Sequence, residues 1–96
     1  MNELLVLISE GGTRREVFAK SLSIGSAEFY QAAATNHRPE LKVCLADYFD
    51  YAGERYAEHD STLYRVIRTY RAGQQMELTL TRASAEEVEL YGTYHD

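Results

Sequence analysis

Cysteine is nearly missing from this chain. Cys44 is the single one in 96 residues, so no internal disulfide can form and no set of thiolates can hold a metal. That usage suits a reducing compartment, and the expected role of Cys44 is a small residue on a strand. Tryptophan is absent and proline occurs once, at Pro39. No segment approaches the roughly 18 consecutive apolar residues of a membrane-crossing helix. The opening Leu4-Leu5-Val6-Leu7-Ile8 is too short for a signal-peptide core and follows no basic residue, so a secreted fate is not expected. Basic residues stop at Arg82, whereas Glu86, Glu87, Glu89 and Asp96 lie beyond it. The net charge of −5 is therefore a C-terminal feature, and the eleven acids and ten bases before Ser84 leave the body near neutral. A near-neutral body argues against strong phosphate binding, which needs clustered Lys and Arg.

What is present reads as one domain. A chain of this size buries roughly 60–65% of its unfolded surface, enough for one core. Leu4 to Ser9 is a short apolar run and predicts a buried strand. Gly11-Gly12 marks a turn, and Arg15 to Ser23 predicts a second strand with Val17 and Ala19 on one face, Phe18 and Leu22 on the other. Ser26, Glu28 and Ala32-Ala33-Ala34 predict a short helix over about 26–36, ended before Pro39. Leu41, Val43 and Leu45 alternate with polar neighbours as a half-buried strand does, and Tyr48-Phe49-Asp50-Tyr51 is expected to continue it. Arg55 to Glu58, Leu63 to Tyr70 and Met76 to about Arg82 complete the set, Leu63–Tyr70 being richest in β-branched and aromatic residues. The expected fold is mainly β: a small antiparallel barrel or sandwich of five to six short strands with one short helix. Residues 1–83 form the domain and 84–96 an acidic tail. Ser84 and Glu87 have capping-box spacing; a helix, an added strand and a frayed end are all open for that tail, fraying being the leading expectation.

Signatures of chemistry are sparse. His37, His59 and His95 are scattered without metal-ligand spacing. Asp47, Asp50, Glu54, Glu58 and Asp60 lack the spacing of a calcium loop and are expected to rim an exposed surface. No G-x-S-x-G or G-K-[ST] element occurs. The reading is of a non-enzyme without cofactor. Arg65, Arg68 and Arg71 interleave with Tyr64 and Tyr70, a mixture that can bind single-stranded nucleic acid. Strand alternation puts Arg65 opposite to Arg68 and Tyr70 unless a bulge intervenes, and pairing of these arginines with Glu54, Glu58 or Glu77 is the expected alternative. Eight tyrosines suit surfaces that are exposed before assembly.

Several short motifs recur in one order: Glu3–Glu10, Arg15–Ala19, Ser26–Ala32, Arg38-Pro39-Glu40, Asp50-Tyr51-Ala52-Gly53-Glu54, Leu63–Tyr70 and Glu77-Leu78. Together, over Glu3 to Arg82, they resemble the head–tail joining (head-closure, or stopper) family of tailed phages. The resemblance implies a small β-barrel with a helix and no catalytic residues. It implies a prophage or virion protein that forms a ring under the portal and adaptor, closes the DNA-filled head and offers a platform to a tail-completion or tail-tube protein. Its location would be the host cytoplasm before assembly and the head–tail connector afterwards, with no membrane partner and with DNA passing through without specific binding. The Gly11-Gly12-Thr13 loop is shorter than in such relatives, Ser23-Ile24-Gly25 lacks their basic residue, and 83–96 has no counterpart. Ring contacts are expected from Phe29, Tyr30 and Arg38 around the helix, from Tyr48, Phe49, Asp50 and Tyr51, and from Arg68 and Tyr70. The alternative functions are a small nucleic-acid-binding barrel or a phage-encoded inhibitor.

Overall fold

The structure is a computed structural model that describes residues 2–24 and 39–91. Six antiparallel strands close into a barrel: β1 (Asn2–Ile8), β2 (Arg14–Leu22), β3 (Leu41–Leu45), β4 (Tyr56–His59), β5 (Thr62–Ala72) and β6 (Gln75–Arg82). Around the barrel the order is β1-β2-β3-β6-β5-β4, and β1 closes it on β4 with Leu7 opposite Ala57. The barrel bears out the expected fold class. The predicted helix over 26–36 lies outside the described residues. In the acidic tail α1 (Ala85–Tyr91) forms, so of the three alternatives for that segment the helix is the one formed over 85–91, where fraying is not found.

Period-two alternation builds the core. Leu5 and Leu7 from β1, Val17 and Ala19 from β2, Val43 and Leu45 from β3, Ala57 from β4, and Leu78 and Leu80 from β6 point inward and pack as one cluster. Each fully buried Leu stabilises the fold by about 1.5–3 kcal/mol relative to an exposed one. Closure gives every strand two neighbours, although the short β4 covers only Val6–Ile8 of β1 and Thr62–Arg65 of β5, and it reduces the edge hazard of a small β-protein.

Turn chemistry fixes the registers. His59 pairs with Thr62, so Asp60 and Ser61 form a two-residue loop, and both have positive φ, 51° and 65°. Such a loop matches the strand twist, and Asp tolerates that conformation better than most residues. At the β5–β6 hairpin Gly73 takes φ 63°, where glycine adopts the left-handed region without a Cβ clash.

One expectation is overturned, and one left conditional is decided. β3 ends at Leu45, and Tyr48–Asp50 forms a 3-10 turn instead of continuing the strand. The cause is local: Asp47 Oδ1 accepts from Phe49 N at 2.9 Å, offering the backbone a partner that competes with a strand ladder. In β5 the register shifts between Val66 and Arg68, leaving Ile67 as the extra residue of a bulge. The bulge resets the alternation. Arg65, Arg68 and Tyr70 pair with Thr81, Thr79 and Glu77, whose parity is opposite to the inward Leu78 and Leu80. All three therefore share the outer face, the outcome that the sequence reading tied to a bulge.

Candidate docking surface

The turn Tyr48–Asp50 is held from two sides. Tyr48 N donates to Gln74 O at 2.7 Å, and Gln74 Nε2 donates to Asp47 Oδ1 at 3.1 Å, tying the turn to the β5–β6 hairpin. Arg71 lies over the Tyr48 ring, its Cζ 3.6 Å from the centroid, a cation–π contact. The rings of Tyr48 and Phe49 pack with centroids 4.3 Å apart. This leaves Phe49 70% exposed on a backbone that its neighbours immobilise.

Behind the turn sits Glu54, only 7% exposed. Arg15 Nη2 reaches Glu54 Oε2 at 2.7 Å and Nε reaches the same oxygen at 3.2 Å. The other oxygen accepts from Ala52 N at 2.7 Å. Arg15 Nη2 also donates to Asp50 O at 2.6 Å, and Tyr51 Oη donates to Glu54 O at 2.6 Å. Burial alone would raise the Glu54 pKa; the Arg15 guanidinium and the Ala52 N–H outweigh it and hold the carboxyl below the ordinary value. The same burial, with the Glu54 charge beside it, pushes the Tyr51 phenol up. Glu54 is thus a strut, not part of an exposed acidic rim. Glu58 likewise receives Arg14 Nη2 at 2.8 Å, and His59 Nε2 meets Glu3 Oε1 at 2.8 Å.

A second surface lies on the outside of β2, β3, β6 and β5. The registers give two rows across it: Lys20, Cys44, Glu77 and Tyr70, then Leu22, Lys42, Thr79 and Arg68. Lys42, Arg68, Tyr70, Glu77 and Thr79 line a shallow cavity of about 240 Å³. Lys42 Nζ lies 3.3 Å from Glu77 Oε1, while Arg68 forms no ion pair with a described residue. Lys20, Lys42 and Arg68 against Glu77 leave this wall with a positive excess. Burial, then the Glu77 charge, pushes the Cys44 thiol up, so it remains an unreactive thiol on its strand.

The sequence-predicted residues divide accordingly. Tyr48, Phe49, Asp50 and Tyr51 share the turn, but only Phe49 projects; Asp50 lends its carbonyl to Arg15 and Tyr51 packs against the core. Arg68 and Tyr70 meet on the outer wall, and Arg71 turns to the other side of the hairpin, onto Tyr48. Phe29, Tyr30 and Arg38 lie outside the described residues. Arg65, expected to pair with Glu54, Glu58 or Glu77, approaches Glu87 of the tail at 4.0 Å.

Helix α1 is bound to the barrel's far side. Ser84 and Glu87 exchange hydrogen bonds as a capping box, Ser84 N to Glu87 Oε1 at 2.8 Å and Glu87 N to Ser84 Oγ at 3.2 Å. Tyr91 stacks on Tyr56 with centroids 4.4 Å apart, and Tyr56 Oη donates to Glu87 Oε2 at 2.7 Å. Tyr91 Oη donates to Glu10 O at 3.1 Å, and Arg14 Nη1 donates to Tyr91 O at 3.3 Å. Ile8 has the outward parity of Leu4, which is 48% exposed, yet it is 1% exposed itself; its register partner is Tyr56, the residue under Tyr91. The helix covers this corner. The capping-box spacing was readable beforehand, but nothing in the sequence marked Tyr56 and Tyr91 as partners. Val88 and Leu90 remain exposed.

No family model, curated protein or solved structure matches the chain. The geometry defines a small closed β-barrel that carries an aromatic knob near one hairpin, a basic-aromatic wall, and an acidic helix fastened over β4.

Proposed function

We propose that this protein is a structural subunit of a tailed-phage head–tail connector, assembling into a ring that closes the filled head and receives the tail. The observation that carries this reading is the braced, outward Phe49 on a closed barrel. An exposed aromatic whose backbone is held by several hydrogen bonds loses little conformational freedom on docking, which is what an interface anchor requires. The order of motifs from Glu3 to Arg82 supplies the phage context, and the near-neutral body suits a ring through which duplex slides. Binding partners would be the portal–adaptor assembly on one side and a tail-completion or tail-tube protein on the other.

The test is deletion of the gene from its phage or prophage, followed by electron microscopy of the particles. Filled or leaking heads without tails are expected, and a Phe49→Ala copy is expected to complement poorly. Normal infectious virions from the deletion end this reading.

A second reading gains from the bulge at Ile67. By bringing Arg65, Arg68 and Tyr70 onto one face, it makes a basic-aromatic strip of the kind that stacks single-stranded bases. Under that reading the isolated chain binds an oligonucleotide with an affinity that falls steeply with salt. Under the connector reading it binds little at any salt concentration.

A further inference from the structure

Two oppositely charged surfaces of this molecule lie on different parts of the barrel's outside. In the closed order β1-β2-β3-β6-β5-β4, strand β4 stands across the barrel from β3. Helix α1 is fastened to β4 through Tyr56, while the cavity holding Lys42, Arg68 and Tyr70 lies over β3, β6 and β5. The helix docks through Ser84, Glu87 and Tyr91, which follow one another at helical spacing. Its outer side presents Glu86 and, one turn on, Leu90, 75% exposed. The wall offers a guanidinium and a half-exposed tyrosine ring at 58%. An acid beside an apolar side chain thus has a base beside an aromatic ring as its counterpart.

We propose that α1 of one copy docks on the outer wall of β3, β6 and β5 of a second copy, setting Glu86 against Arg68 and Leu90 against Tyr70. Within one chain α1 is fastened over β4 and reaches β5 at Arg65, which Glu87 approaches at 4.0 Å, so the pairing of Glu86 with Arg68 is assigned to a second copy. The contact is heterologous, one surface meeting a different one, and repetition of such a contact closes a ring when the rotation permits. Because the capping box and the Tyr56–Tyr91 stack already order α1, docking it carries little ordering cost. Opposite charges add orientation and speed of encounter. The proposal deepens the connector reading and rests on it for the meaning of the contact, but its test is independent.

The experiment is sedimentation velocity on the full chain from low to high micromolar concentration, at low and at high salt. Concentration-dependent association that weakens with salt is expected. Arg68→Glu and Glu86→Arg are each expected to weaken it about tenfold, a typical loss for a single interfacial charge reversal. The double charge swap is expected to restore it. Both residues are exposed, and thermal melts check that each variant folds. A chain that stays monomeric throughout, single variants that associate like the parent, or a swap that fails to recover association would each overturn the proposal. So would an oligonucleotide that binds the wall and is lost in Arg68→Glu while association is unchanged. A chain that binds the connector without associating with itself refutes this contact and leaves the connector reading standing; normal virions from the gene deletion do the reverse.

Discussion

Arg15 and Glu54 form a fork that closes on one oxygen: Nη2 at 2.7 Å and Nε at 3.2 Å both reach Glu54 Oε2. The pair joins β2 to the segment leading into β4 and, through Asp50 O, to the turn that carries Phe49. Removing one partner leaves the other without its compensation, and the cost falls mostly on the buried carboxylate. The Arg15 side chain is 40% exposed, so solvent screening lowers the value of the pair below that of a fully buried one. Arg15→Ala is expected to destabilise by about 2–3 kcal/mol, and Glu54→Gln by about 1–2 kcal/mol because the amide still accepts from Ala52 N. Urea unfolding measures both.

The same carboxyl shapes the acid limb of stability. Its folded pKa lies below the ordinary 4.5. The unfolded chain therefore takes up its proton first as pH falls, and the stabilisation is present in full above that value. It is lost as pH drops from 4.5 toward the folded pKa. Glu87, lowered by its Ser84 and Tyr56 hydrogen bonds against the pull of burial, acts in the same direction. Stability measured against pH is expected to fall below about pH 4.5, the unperturbed value of both groups. Glu54→Gln makes that fall shallower without removing it.

The strands were legible because their inward positions alternate without interruption: Leu5 and Leu7, Val17 and Ala19, Val43 and Leu45, Leu78 and Leu80. Barrel closure by β1 on β4 was not, since Leu7 meets Ala57 across fifty residues and no local signal marks that pairing. Tyr48–Tyr51 read as strand because aromatic residues favour strands; the Asp47 side chain decided otherwise. The bulge at Ile67 escaped because β-branched residues flanking it fit either parity. Of the site, Phe49, Arg68 and Tyr70 were visible as exposed-type residues, whereas Lys42 and the Arg15–Glu54 strut came together only through the fold.

At high pH the bond between Tyr56 and Glu87 becomes the reporter. The Glu87 carboxylate, accepting from Tyr56 Oη, is the main cause that pushes the phenol up to about 12; burial adds to it. With the folded pKa above the ordinary 10, the stabilisation is present below pH 10 and is lost as pH rises through about 12. Ultraviolet titration of tyrosinate should show late ionisation from Tyr51 and Tyr56, and Tyr56→Phe should remove the part near pH 12. Glu87→Gln should shift that component down toward pH 10. Glutamine can still complete the capping box, so amide exchange across Ala85–Tyr91 should change little in Glu87→Gln, whereas Glu87→Ala should quicken it.

Leu45 and Phe49 stand four residues apart and should behave oppositely. Leu45 is wholly buried in the central cluster, and Phe49 is the most exposed aromatic ring of the described residues. Leu45→Ala removes buried methyl groups and leaves a cavity that a closed barrel cannot collapse around, so a loss of about 3 kcal/mol is expected. That is a large part of the roughly 5–15 kcal/mol that holds a domain of this kind together. Phe49→Ala sacrifices only its contact with the Tyr48 ring and should cost less than about 1 kcal/mol. Urea titration separates the two, and the partner assay reverses them. The near-neutral Phe49 variant should fail to support tail attachment, whereas any Leu45→Ala protein that remains folded should still dock. An equal loss of stability from both substitutions would mean that Phe49 serves the fold and is not held out for a partner.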